Sequence, residues 1–121
     1  MMFLSIDTTT KIGLCLYDEN KHRIYSFDGQ NTHHQTEDLL SEIGKFLKES
    51  KVAWSDIYAI IINPGPGSYT GTRIGVTTAN FLAFGLNIGV FKDISGATFS
   101  KFMGSVLPVY TMPPKITQRK S

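Results

Sequence analysis

One stretch constrains this chain more than any other: Asn63-Pro64-Gly65-Pro66-Gly67-Ser68-Tyr69-Thr70-Gly71-Thr72-Arg73-Ile74-Gly75. Alternating prolines and glycines at its start break any helix or strand. Upstream, Ile57 to Ile62 holds three consecutive isoleucines and reads as a buried strand, since β-branched residues suit a pleated surface. Downstream, a helix is expected from about Gly71 to Gly85. The breaker therefore lies at the carboxyl end of a strand, where open α/β sheets usually place their ligands. Its glycines allow sharp turns, and a helix N-terminus carries about half a positive charge, so an anion could be held there. A rigid turn with Ser68 or Thr70 as N-cap accounts for the same residues. The loop is not a Walker A motif, because no Gly-Lys-Ser/Thr follows, and the Gly-x-Gly-x-x-Gly spacing is not met. Arg73, in the first helical turn, is disfavoured there by about 0.3–1 kcal/mol.

The rest of the chain supplies a sheet for this loop. Met2 to Ile6 is almost wholly apolar, as in a strand covered on both faces, and Asp7 closes it. Ile12 to Tyr17 alternates with a period of two, and a third strand is expected from His22 to Phe27. From Gln35 to Ser50, Leu39, Leu40, Ile43, Phe46 and Leu47 form one helical stripe, with Thr36 as N-cap. Ile88 to Phe91 reads as a fifth strand. Ser95 could cap a short helix carrying Phe99, Phe102 and Met103 at helical spacing, and after Val106-Leu107-Pro108-Val109-Tyr110 the chain turns polar and is expected to fray. The order βββαβαβ predicts an α/β fold, a mixed sheet with flanking helices. This resembles the ribonuclease H-like layout that also forms one lobe of actin-like ATPases and sugar kinases.

Composition narrows the functional classes. The chain has 121 residues and a formal charge of +2. Lys115, Arg119 and Lys120 account for that surplus, so the body is near neutral and lacks the charge of a strongly basic nucleic-acid-binding face. The single cysteine, Cys15, forms no internal disulfide or multi-cysteine metal site, and has no basic or histidine neighbour to activate it. His22, His33 and His34 lack the i, i+4 spacing that puts two imidazoles on one helical face. Trp54 reads as an anchor for its loop. No basic n-region precedes the first apolar run, and no apolar run approaches ~18 residues. A soluble, cytoplasmic, single-domain chain with no membrane association is expected.

Asp7 invites two catalytic readings. Actin-like ATPases carry Asp-x-Gly-Thr at this place, but here Thr9 stands in the glycine position, so a turn with a capping Asp accounts for it as well. A two-metal nuclease would need further carboxylates near Asp7. Glu37 or Asp38 could supply one, but the end of the fourth strand holds Asn63 instead of an acid. In the second helix Gly71, Gly75, Ala79 and Ala83 recur every four residues. Such a stripe invites close approach by another backbone, either the chain's own sheet and first helix or a second chain. Ile74, Phe81, Leu82 and Phe84 spread too widely for one buried stripe, which predicts an exposed apolar flank.

Ile6-Asp7-Thr8-Thr9-Thr10, His34 leading into the Leu39-Leu40 helix, and Gly65 through Val76 resemble the TsaB (YeaZ) family across about residues 2–105. Most members have Phe where Tyr69 stands and Leu or Val where Thr72 stands. The resemblance implies an actin-like fold and a role in making N6-threonylcarbamoyladenosine beside the anticodon of tRNAs reading ANN codons. It implies no catalytic residue and no metal site in this chain. The work would be done with a TsaD-like paralogue, which transfers the threonylcarbamoyl group, and a TsaE-like ATPase, with tRNA contacted only indirectly. Pairing, or homodimerisation without the partner, would use the two helices through Leu39, Ile43, Gly71, Arg73, Ile74, Gly75, Thr78, Ala79, Leu82 and Ala83. Asp7, Thr8, Thr9, Gly65, Gly67, Ser68 and Thr70 would contact phosphate or nucleotide, with ATP or ADP and Mg held only in the complex and none by the chain alone. Residues 1–105 would be the N-terminal lobe, and 106–121 a Pro-containing basic tail, the remnant of a second lobe that family members usually carry.

Overall fold

A computed structural model describes residues 1–29 and 36–109, the Thr36 and Glu37 side chains excepted. The readings of His33, His34, Glu37, the Thr36 cap and the basic tail from residue 110 onward lie outside the described residues. Five strands, β1 (Met2–Asp7), β2 (Gly13–Tyr17), β3 (Arg23–Asp28), β4 (Ile57–Ile62) and β5 (Gly89–Phe91), form one sheet in the order β3-β2-β1-β4-β5. The β1–β2 and β2–β3 pairs are antiparallel, while β1–β4 and β4–β5 are parallel. This is the mixed sheet that the element order predicts. Strand β1 lies at its centre, with Leu4 opposite Ile60 and Ile6 opposite Ile62.

The two helices, α1 (Thr36–Glu49) and α2 (Tyr69–Leu86), pack on one face. Leu39, Ile43, Phe46 and Leu47 from α1 meet Leu4, Ile6, Leu14, Leu16, Ile60 and Ile62 in the main core. Residues at alternate positions point the other way: Phe3, Ala59 and Ile61 form a smaller core with Ala97. Both faces of β1 and β4 are thus covered, which is why their sequences are nearly continuously apolar. Helix α2 starts at Ser68, whose Oγ accepts the Gly71 N–H, and ends at Asn87 in the left-handed conformation. Among the described residues no helix is long and apolar enough to cross a membrane.

The helix expected after Ser95 is absent. A 3₁₀ turn, Ile94–Gly96, forms instead, capped by Asp93 and followed by irregular chain. Phe99 meets Tyr58 with the rings tilted, and Phe102, packed against the main core, meets Phe84 edge-on. The Ser100 carbonyl accepts the Gly89 N–H. The segment from Val106 to Val109 is docked against α2 and the loop after β4.

Candidate functional site

The parallel pairing of β1 and β4 brings their carboxyl ends side by side, and two loops meet there. The first begins at Asp7, half-buried, which ends β1. Asp7 Oδ1 accepts from the Thr9 backbone N–H at 2.9 Å and from Thr9 Oγ1 at 2.7 Å. This side-chain-to-backbone turn is the usual result of an Asp at the start of a polar loop. Its other oxygen, Oδ2, accepts from Asn63 Nδ2 at 3.1 Å, and Asn63 Oδ1 accepts the Gly65 N–H. Asn63 therefore bridges the loops, and an acid there would face Asp7 with like charge.

The loops are then joined from Thr8 to Thr72. Thr8 Oγ1 donates to the Gly71 carbonyl at 2.6 Å, and the Ser68 N–H donates to the Thr9 carbonyl. A Cβ on Gly67 would lie within 3 Å of Thr9 Cα and Thr72 Oγ1, and one on Gly75 would sit on Thr8 Oγ1. Glycine is required at both because another backbone or buried side chain occupies the space. Thr72 is fully buried, and its Oγ1 has no hydrogen-bond partner.

Asp7, Thr8, Thr9, Gly65, Gly67 and Ser68 are thus brought together, with Thr70 exposed at the rim. Their polar groups are largely bonded to one another: the N–H groups of Thr9, Gly65, Ser68, Gly71 and Thr72 all have partners within the two loops. The arrangement is a rigid loop-to-loop joint. Among the described residues, no three of His, Cys, Asp and Glu gather as for a metal.

Most of the expected partner-interface residues lie inside the chain. Leu39, Ile43, Gly71, Gly75, Thr78, Ala79, Leu82 and Ala83 are buried within the chain. The small stripe of α2 faces its own sheet, because Gly75 must pass Thr8 and Ala79 and Ala83 lie in the main core. Of the expected interface residues only Arg73, exposed, and Ile74, half-buried, reach the surface. The outer flank of α2 instead presents Phe81 at 61% and Phe84 at 71% exposure. Phe84 makes an edge contact with Phe102, rings 5.5 Å apart. Arg73 donates to Tyr69 Oη at 3.1 Å and lies over that ring, which offsets its poor position at the helix start. The i, i+4 spacing of Tyr69 and Arg73 carries this signal in the sequence. The bridging role of Asn63 and the orphaned Thr72 hydroxyl depend on contacts remote in sequence and have no local signal.

A family model described as TsaD, tRNA N6-adenosine threonylcarbamoyltransferase, matches residues 30–92. The tRNA threonylcarbamoyladenosine biosynthesis protein TsaB of Bacillus subtilis is 30% identical over 115 residues, covering 91% of this chain and 50% of the relative. The protein of the same name from Haemophilus influenzae is 34% identical over 93 residues, covering 74% of this chain and 38% of its own length. The structure of YeaZ from Pseudomonas aeruginosa superposes with a TM-score of 0.65 at 31% identity, covering 74% of this chain and 42% of that one. The chain therefore spans no more than half the length of these relatives.

Proposed function

The chain belongs to the family this model describes and, within it, to the TsaB (YeaZ) branch, and on that premise we propose that it is a non-catalytic subunit in N6-threonylcarbamoyladenosine formation on tRNAs reading ANN codons. It pairs with a TsaD-like transferase and a TsaE-like ATPase in the cytoplasm and meets tRNA through them. The observation that carries this reading is the outer flank of α2, where Phe81 and Phe84 stand exposed although the inner face of the same helix is fully packed. Large exposed apolar side chains grouped on one element mark protein interaction surfaces. The closed joint at Asp7 supports the non-catalytic part, since the carboxylate is bonded on both oxygens by the chain itself.

Phe81→Glu combined with Phe84→Glu tests the pairing. Neither side chain belongs to the buried core, so the double variant is expected to keep its circular dichroism and melting temperature while losing co-elution with the TsaD-like protein. Undiminished co-elution refutes the assignment of this flank. The same variant measured alone by light scattering separates hetero-pairing from self-association: loss of a homodimer places both on one surface. Nucleotide, as ATP or ADP with Mg, belongs to the assembled complex. The N–H groups of Thr9, Gly65, Ser68, Gly71 and Thr72 are already paired internally, so titration of the isolated chain with Mg-ATP should show no micromolar binding. Retained phosphate release by the isolated chain would favour the alternative of a small ATPase or kinase lobe.

A further inference from the structure

Val106 is held at both of its backbone polar groups by one side chain. Asn80 Nδ2 donates to the Val106 carbonyl at 2.9 Å, and Asn80 Oδ1 accepts the Val106 N–H at 3.0 Å. One amide thus reproduces the reciprocal pair of bonds that joins adjacent antiparallel strands. Three residues on, the Val109 N–H donates to the Pro64 carbonyl. The Val109 carbonyl fills the space a side chain on Gly65 would need, and Gly65 has φ of +114°. The two anchors lie on different elements, the middle of α2 and the loop after β4. Between them Leu107 is 77% exposed, and Lys92, Ser105 and the residues from Val106 to Val109 bound a cavity of about 420 Å³.

We propose that residues 106–109 are a releasable strap that couples α2 to the loop at 63–68. Only Leu107-Pro108 separates the anchored residues, so Val106 and Val109 lie at most about 11 Å apart when extended, and the proline ring fixes one torsion of the link. A displacement at one anchor therefore reaches the other with little slack, and the space bounded by Lys92 and residues 105–109 leaves room for it. A load on the chain beyond Val109 is felt at Gly65 and, through Ser68, at the start of α2, where Tyr69 and Arg73 meet solvent. The inference does not depend on the proposed tRNA-modification role.

Amide hydrogen exchange of the full chain tests it, with Asn80→Ala and Asn80→Asp. Losing both bonds is expected to speed exchange at Val106 by about tenfold or more, as for hydrogen bonds worth about 1 kcal/mol each. Exchange at Val109, Gly65 and Ser68 should rise with it, and that in β1 and β2 should not. Asn80→Asp keeps the acceptor for the Val106 N–H but sets a carboxylate oxygen against the Val106 carbonyl, so it too should speed exchange at Val106. Three results overturn the proposal: an unchanged Val106 rate, acceleration at Val106 with none at Gly65 and Ser68, or a uniform rise over the whole sheet.

Discussion

Gly75→Ala puts the packing of α2 to a direct test, because propensity and packing predict opposite signs. Replacing a helix-interior glycine by alanine ordinarily stabilises by about 1 kcal/mol. Here the new Cβ would land on Thr8 Oγ1, with Thr8 Cβ at 3.1 Å and Cγ2 at 3.2 Å also too near. Thr8 is 1% exposed and donates to the Gly71 carbonyl, so it can turn away only by giving up that bond. Overpacking costs about 1–3 kcal/mol, and a buried hydroxyl left unpaired costs about 1–3 kcal/mol more. Set against the propensity gain, the net loss is about 3 kcal/mol, or roughly 12 °C in melting temperature for a chain of this size.

Urea and thermal denaturation followed by circular dichroism measure this, with Gly44→Ala as the control. Gly44 lies inside α1 with nothing within 4 Å of its would-be Cβ, so that change should stabilise by up to about 1 kcal/mol. A double-mutant cycle isolates the contact. Thr8→Ala alone should cost about 1–2 kcal/mol for the lost bond and methyl, yet in its presence Gly75→Ala should become much less harmful, a favourable coupling of at least about 1 kcal/mol. If Gly75→Ala proves as stable as the parent, or the two losses simply add, the inward orientation of the stripe is refuted.

Two further outcomes follow from single groups. Thr72→Val removes the one described buried side-chain polar atom without a partner and keeps the branched shape, so it should stabilise the fold by about 1 kcal/mol, within the usual range for an unsatisfied hydroxyl; a loss of stability in urea denaturation would show that the hydroxyl is satisfied. The Asp93 carboxyl is held below its ordinary value by the Ser95 hydroxyl and then by the Gly96 N–H. Its contribution is present above the ordinary carboxylate pKa of about 3.9 and is lost as pH falls through the lower folded value, so NMR should show the Gly96 amide losing protection only below about pH 4, and Asp93→Asn should remove that dependence.

The elements were legible because their patterns are local. Ile57–Ile62 could be read as a strand to the residue, since six consecutive apolar or aromatic residues bounded by Asp56 and Asn63 leave little choice of register. The first helix likewise shows its buried stripe in Leu39, Ile43, Phe46 and Leu47. Spacing alone failed for Phe99, Phe102 and Met103: it fits a helix, but Phe99 meets Tyr58, Phe102 meets Phe84, and the chain that carries them is irregular. Small residues posed a different problem. Gly71, Gly75, Ala79 and Ala83 signal close approach but not the approaching partner, which is decided by Thr8, 63 residues from Gly71 in sequence.

That decision reaches the function as well. A helix has one side to give, and once the small stripe is committed to Thr8 and the core, the side left for another protein is the opposite one. The residues that resemble the family most closely, from Gly65 to Val76, then serve chiefly to set α2 at a fixed height and angle over β1 and β4. On the proposed role, recognition falls to Phe81 and Phe84 outside that motif and, within it, to the exposed Arg73 held against Tyr69. Substitutions in the loop should therefore weaken pairing only as far as they weaken the fold, whereas substitutions at Phe81 and Phe84 should weaken pairing and leave stability in place.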